Sequence, residues 1–342
     1  MLNSLLSFFL GVKKRLKQGR VLMLIVFFLL FFNSALLGRS PAAIRFLPQW
    51  THQAQFAGFY MALDKGFYAE EGLSVTILDG GPQNPVGEAI QSDKAEIVSS
   101  FFSSALAMKN QGLPIVNICQ YSKRSALMVA SKKSRLSEDI ASLNGVRIGL
   151  WHKDFREIPL YFFHSQGLSP DIIPIKSGIQ LFLNDGVEAL VVMWYNELHR
   201  ILSAGYAEAD LNMFHFFDYG INMPEDGLFC REDYYDENRR YADAFVRASL
   251  RGWQYAFTHK DEALEAVLWR QKATGIPANL AHEGYMLDCM QSLLEADADD
   301  ASVSGYMSKK AYLEAIEIAL KAGIIENVPP YQAFVRTWKK LE

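Results

Sequence analysis

Cysteine is scarce in this chain. Cys119, Cys230 and Cys289 are the only three in 342 residues, with no CxxC spacing and an apolar context for each. That excludes a disulfide framework and predicts buried free thiols. Metal-ligand spacing is missing as well. The seven histidines (52, 152, 164, 199, 215, 259 and 282) contain no i, i+4 pair, and there is no HExxH motif or Cys/His cluster; a metal site is not expected. GxxxxGK[ST], GxGxxG and GxSxG are absent, so a phosphate loop, a dinucleotide fingerprint and a hydrolase elbow have no support. There is no internal repeat and no low-complexity tract. No cofactor is implied, and no residue set is assigned to catalysis.

The first forty residues contain no acid. Lys13, Lys14, Arg15, Lys17 and Arg20 form a basic cluster ahead of an apolar run from Val21 to Leu37, broken only by Asn33 and Ser34. A basic region before such a run reads as a secretory signal or a retained membrane anchor, with the basic end cytoplasmic. The run is near the lower limit for a membrane span. Residues 1–40 are therefore set aside from the fold. They hold six of the 34 basic residues, which leaves 28 against 38 acids in the remainder. An acidic body argues against nucleic acid as a partner.

From residue 44 onward, β-like and helix-like runs alternate. Strands are expected at Ile44–Leu47, Ser74–Leu78, Ala95–Ser99, Ile115–Cys119, Leu127–Ser131, Val146–Leu150, Ile172–Ile175, Ala189–Met193 and Gly227–Cys230. Gly72, Gly112, Gly167 and Gly205 each sit just past a helical run, as C-terminal glycines do. Alternating β and α predicts a mostly parallel sheet covered on both faces. After Cys230 the pattern is nearly all helix, from Tyr241–Thr258 to Lys309–Ala322, before Pro329-Pro330. Two lobes are expected: residues 41–131 plus 225–342, and residues 132–224. The chain crosses between them twice, which implies a hinge and a cleft suited to a small molecule.

Loops at the carboxyl ends of strands are where small ligands bind in open α/β sheets. The loop after the first strand reads Gln49-Trp50-Thr51-His52-Gln53. Trp50 offers a flat apolar face, and His52 and Gln53 offer hydrogen bonds. That set suits a planar heterocycle better than a phosphate. Gly80 and Gly81 permit close backbone approach or positive φ, and Asn84 is placed to cap the next helix. Ser100 and Phe101 lie where the third strand becomes a helix. Trp151 occupies the matching loop of the second lobe. Tyr195, Asn196 and Glu197 follow strand Ala189–Met193. A carboxylate at a helix start is stabilised there, so Glu197 is suited to accept hydrogen bonds from an exocyclic amine.

Several ordered segments carry a family resemblance. They are Trp50…Gly58-Phe59-Tyr60…Lys65-Gly66-Phe67-Tyr68…Glu71-Gly72-Leu73, then Gly186-Val187-Glu188-Ala189…Trp194-Tyr195-Asn196-Glu197, then Gly227-Leu228-Phe229 and Ser249-Leu250-Arg251-Gly252-Trp253. Together they resemble the SsuA/THI5-like family over about residues 44–275. The resemblance implies an α/β, two-lobe periplasmic-binding-protein-like type II fold with a hinge cleft and a helical C-terminal segment. It implies an exported solute receptor partnered by the permease of an ABC importer. The implied ligand is a thiamine pyrimidine precursor, with Glu197 in the place of the acidic residue that the family's pyrimidine receptors use. Two alternatives stand beside it: a sulfonate or taurine receptor or membrane-anchored sensor, and a synthase of the thiamine pyrimidine. The synthase branch carries a CCCFC segment and a histidine shortly after the first-loop tryptophan. Here the corresponding stretch is Gly227-Leu228-Phe229-Cys230-Arg231, and the position six residues after Trp50 is Phe56.

Overall fold

Ten strands form two five-stranded sheets in a computed structural model that describes residues 40–152, 155–176, 178–296 and 304–337. The expected leader thus lies outside the described residues. The first sheet uses β1 (Ala42–Leu47), β2 (Leu73–Ile77), β3 (Ile97–Phe101), β4 (Ile115–Gln120) and β10 (Asp226–Arg231), in the order β2-β1-β3-β10-β4. The second uses β5 (Leu127–Lys132), β6 (Arg147–Trp151), β7 (Asp171–Ile175), β8 (Ala189–Met193) and β9 (Leu211–His215), in the order β7-β6-β8-β5-β9.

Each sheet is parallel except for one strand that follows a crossing. β10 runs antiparallel to β3 and β4, and β5 runs antiparallel to β8 and β9. β3, β4, β5 and β8 are buried along their whole length, which is why each opens on consecutive apolar residues rather than alternating ones.

The expected lobe boundary needs a correction. Leu127–Lys132, assigned from sequence to the first lobe, pairs on both sides within the second sheet. The chain changes sheet between Gln120 and Leu127, and returns between His215 and Asp226. β9 was not foreseen. Its sequence, Leu-Asn-Met-Phe-His, is short and half polar, and it pairs only with β5 at the sheet edge.

The C-terminal part is helical, as expected. Its long helix, Glu232–Thr258, starts earlier than the sequence suggested and has one non-helical residue, Asn238. It packs on helix Ala57–Asp64 at very close range. A Cβ on Gly252 would lie 2.0 Å from the Gly58 carbonyl oxygen, and one on Gly58 would lie 2.2 Å from the Trp253 ring. Two glycines therefore fix how closely these helices cross. The fully buried Trp253 then fills the space between the helices and the first sheet, against Phe59 and Tyr121. Helix Leu280–Leu294 touches both lobes, packing on the loop after β1 and on the turn after β8.

Candidate functional site

The two sheets present their carboxyl edges to each other. Phe101, the last residue of β3, meets Phe155, just beyond β6, edge to face with centroids 4.4 Å apart. Gln55, in the loop after β1, donates from Nε2 to the Tyr195 hydroxyl, after β8, at 3.2 Å. These contacts span the lobe junction.

One buried carboxyl organises the polar groups there. Asp226 opens β10 opposite Phe101. Its Oδ1 accepts from Gln49 Nε2 at 2.6 Å and from Gln55 Nε2 at 3.0 Å, and its Oδ2 accepts from Gln55 Nε2 at 3.1 Å. Gln53 Nε2 donates to Gln55 Oε1 at 2.5 Å, which turns the Gln55 amide nitrogen towards Asp226. Burial pushes the Asp226 carboxyl up to about 7, against the opposing pull of its two glutamine donors. Burial, reinforced by Asp226 and its neighbouring acids, also holds the Tyr195 proton well above the usual phenol range.

The neighbouring Glu225 does different work. It accepts from Ser125 Oγ at 2.7 Å, and the Ala126 N–H reaches both its oxygens, at 2.9 and 2.7 Å. Asn222 Oδ1 accepts from the Ser125 N–H at 2.8 Å. These bonds tie the two sheet-crossing segments together. Burial pushes Glu225 up to about 8, although those donors favour its charged form.

The residues expected from sequence fall into distinct groups. Tyr195, Gln53 and Phe101 join the junction as described. Ser100 is buried beside it, opposite Gly227 in β10. Trp50 is 42% exposed. Gly80 lets the loop after β2 close onto Trp50, since a Cβ there would sit 2.4 Å from the Trp50 carbonyl oxygen. Trp151 ends β6 half-buried, packed against the core clusters.

His52 is engaged elsewhere. Its ring is buried, with Nδ1 2.8 Å from the Tyr60 hydroxyl and Nε2 3.0 Å from Asp79. Asn84 does not cap the following helix, because Pro85 occupies the cap position. Its amide instead donates to the Asp79 carbonyl at 2.9 Å. Glu197 does not stand at an ordinary helix start. Residues Trp194–Leu198 form a single π turn, and Glu197 folds back so that Oε2 accepts the Met193 N–H at 3.0 Å. Asn196 donates weakly to the other oxygen, at 3.4 Å. Burial raises the Glu197 carboxyl above its ordinary range.

Gln49, Gln55, Tyr121, Glu225 and Asp226 were not singled out from sequence. Asp226 escaped because the strand-end rule looks past carboxyl ends. β10 is antiparallel, so its amino end lies at the edge where the parallel strands of the sheet present their carboxyl ends. Two acids directly ahead of an apolar strand, Glu225-Asp226 before Gly227–Cys230, were the available signal.

All three cysteines are buried, and burial pushes the Cys230 thiol well up. Among the described residues, no three His, Cys, Asp or Glu side chains lie together in a way that would hold a metal ion.

A family model described as NMT1/THI5 like matches residues 53–263. The chain belongs to the NMT1/THI5-like family. Family relatives include the formylaminopyrimidine-binding protein of Halalkalibacterium halodurans, 23% identical over 253 residues, which span 72% of this chain and 76% of that one. A shorter likeness, 33% identical over 111 residues, links it to the 4-amino-5-hydroxymethyl-2-methylpyrimidine phosphate synthase of Aspergillus parasiticus. It covers 32% of each protein. Among solved structures, the periplasmic aliphatic sulphonate binding protein SsuA from Escherichia coli superposes with a TM-score of 0.62 at 12% identity. That match covers 82% of this chain and 91% of the other. The fold is thus that of the periplasmic binding proteins, with two α/β lobes.

Proposed function

We propose that this protein is the extracytoplasmic solute receptor of an ABC importer, binding a planar heterocycle between its lobes. The facing carboxyl edges of the two sheets, joined by the Gln55–Tyr195 hydrogen bond, carry this reading. Two lobes linked by two strand crossings can close on a small ligand without covalent chemistry. The exposed Trp50 supplies an aromatic ring at one side of the junction, and Phe101 with Trp151 line it elsewhere. Ser100, Tyr195, Asn196 and Glu197 contribute polar groups. A thiamine pyrimidine precursor is the first ligand, supported by the likeness to the formylaminopyrimidine-binding protein over 72% of this chain. The permease of the importer is the partner, and the basic, apolar leader directs export or anchors the chain to the membrane.

The synthase reading has less support. Its likeness covers a third of the chain, the one cysteine in the relevant strand is buried, and the histidine near the first-loop tryptophan is held by Tyr60 and Asp79.

Thermal unfolding of the purified full chain with a ligand panel tests the proposal. The panel holds formylaminopyrimidine, hydroxymethylpyrimidine, thiamine, riboflavin, taurine and an aliphatic sulfonate, with calorimetry on each positive. A ligand at about 100 times its Kd stabilises the fold by roughly 2.7 kcal/mol. A pyrimidine response supports the receptor reading. A response to sulfonate alone overturns the ligand class. Bound iron in the purified protein, with no response to any ligand, favours the synthase.

A further inference from the structure

The hydrogen-bond balance around Asp226 is incomplete in one direction. Gln49 Nε2 donates to Asp226, which fixes the amide orientation, yet its Oε1 is buried and has no partner. The Tyr121 hydroxyl is also buried without a partner, on a residue only 1% exposed. It belongs to the same group: its proton is held on by burial first, and then by the nearby charges of Asp226 and Tyr195. Asp226 Oδ2 accepts one bond, while Oδ1 accepts two. Tyr195 already receives the Gln55 N–H.

The vacant capacity is therefore mainly for donors. Gln49 Oε1 and Asp226 Oδ2 both seek an N–H. A buried acceptor left without a donor costs free energy, so a ligand bringing two N–H groups gains what the empty site lacks. An exocyclic amine or protonated ring nitrogen meets this demand. A sulfonate carries only acceptors and a negative charge. It would face a carboxyl and an amide oxygen, and among the described residues no arginine or lysine hydrogen-bonds either of them.

We propose that Asp226, positioned by Gln49 and Gln55, is the specificity-determining group of the cleft, reading an amine-bearing edge of the ligand and rejecting sulfonates. This rests on the receptor reading above and assigns the polar anchor to β10 rather than to Glu197 alone. Glu197 is held by a backbone donor, the Met193 N–H, whereas the Asp226 carboxyl is bonded only to side-chain amides. The carboxyl sits near the boundary between its two forms at neutral pH, so a cationic edge draws it into the charged form.

The test is calorimetry on the full chain with three probes: formylaminopyrimidine, the same ring with hydrogen in place of its exocyclic amine, and taurine. Wild type is expected to bind the first, to lose about 10-fold or more in affinity for the second, and to ignore the third. Asp226→Asn is expected to lose about 10-fold or more for the amine-bearing probe, so that the preference for the amine-bearing ring over the amine-free one disappears. A folded Asp226→Asn that keeps wild-type affinity overturns the proposal and leaves the receptor reading standing. If that variant fails to fold, equal wild-type affinity for the two pyrimidines overturns it instead. A wild type that binds no pyrimidine overturns this proposal and the pyrimidine ligand, and taurine binding by that protein would leave only the receptor reading standing.

Discussion

Mild acid should loosen the packing of helix Leu280–Leu294 against the second lobe. His199, just after the π turn, brings Nδ1 to 3.0 Å from His282 Nδ1 on that helix. At that separation only one proton fits between the two atoms. The Tyr285 ring lies over His199 with centroids 4.5 Å apart, and Ser203 Oγ is 3.3 Å from His199 Nδ1. Burial first, then the His199 and Arg200 charges, push His282 down to about 4. Burial lowers His199 as well. An unfolded histidine takes its proton near 6.5. Between about 6.5 and about 4 the unfolded chain therefore binds protons that the folded chain refuses, and stability falls as pH falls through that window. A drop from about 6.5 to about 4 corresponds to roughly 3 kcal/mol for a fully buried group. Partial solvent contact at this half-buried pair reduces it to about 1–2 kcal/mol. His282→Gln keeps a polar side chain and removes the titration. In urea unfolding at pH 7, wild type and variant should agree within about 1 kcal/mol. At pH 4.5, wild type should lose about 1–2 kcal/mol more than the variant. Parallel losses in both proteins across the window would refute the reasoning.

Four other substitutions probe separate parts of the structure. Glu225→Ala removes the acceptor shared by Ser125 and Ala126 and leaves a buried N–H unpaired; urea unfolding should show a loss of about 2–4 kcal/mol, and a loss under about 0.5 kcal/mol would deny the crossing segments their clamp. Gly252→Ala forces a Cβ to 2.0 Å from the Gly58 carbonyl oxygen, so the helices must separate; a fall in stability of about 3 kcal/mol or more is expected by thermal unfolding, and an unchanged melting temperature would contradict the close crossing. Trp50→Ala and His52→Ala should divide stability from binding: the exposed Trp50 is expected to cost about 10-fold in ligand affinity with little change in stability, whereas loss of the buried His52 should destabilise by about 1–2 kcal/mol. The reverse pattern, read by calorimetry and urea unfolding, would mean that their roles were exchanged.

What sequence revealed followed from local pattern. The buried strands β3, β4, β5 and β8 declare themselves because both faces are covered, and the resulting apolar runs end in polar loops. The same buried character hides which sheet a strand joins. Leu127–Lys132 has no local feature that distinguishes the first sheet from the second, and its membership is decided by β8 and β9, some sixty and eighty residues onward. His52 was misread for a similar reason. Imidazoles in strand-end loops are exposed or held according to distant partners, and here those partners are Tyr60 and Asp79.

Asp226 shows why the polar heart of the junction was harder to see than its aromatic rim. A tryptophan in a strand-end loop is legible by itself, because its ring has few uses there. A carboxyl is one of 38 in the chain, and the one local signal, a pair of acids ahead of an apolar strand, does not say what either acid meets. Its significance comes from the antiparallel return of β10, which carries an amino end to the edge where the other strands of the sheet finish. It also comes from Gln49 and Gln55, over 170 residues away in the chain, which reach it from the loop after β1. A residue one place earlier, Glu225, meets only the crossing segment and becomes a clamp instead. Adjacent acids thus take different parts: Glu225 ties the two crossing segments together, and Asp226 gathers the glutamines of the loop after β1.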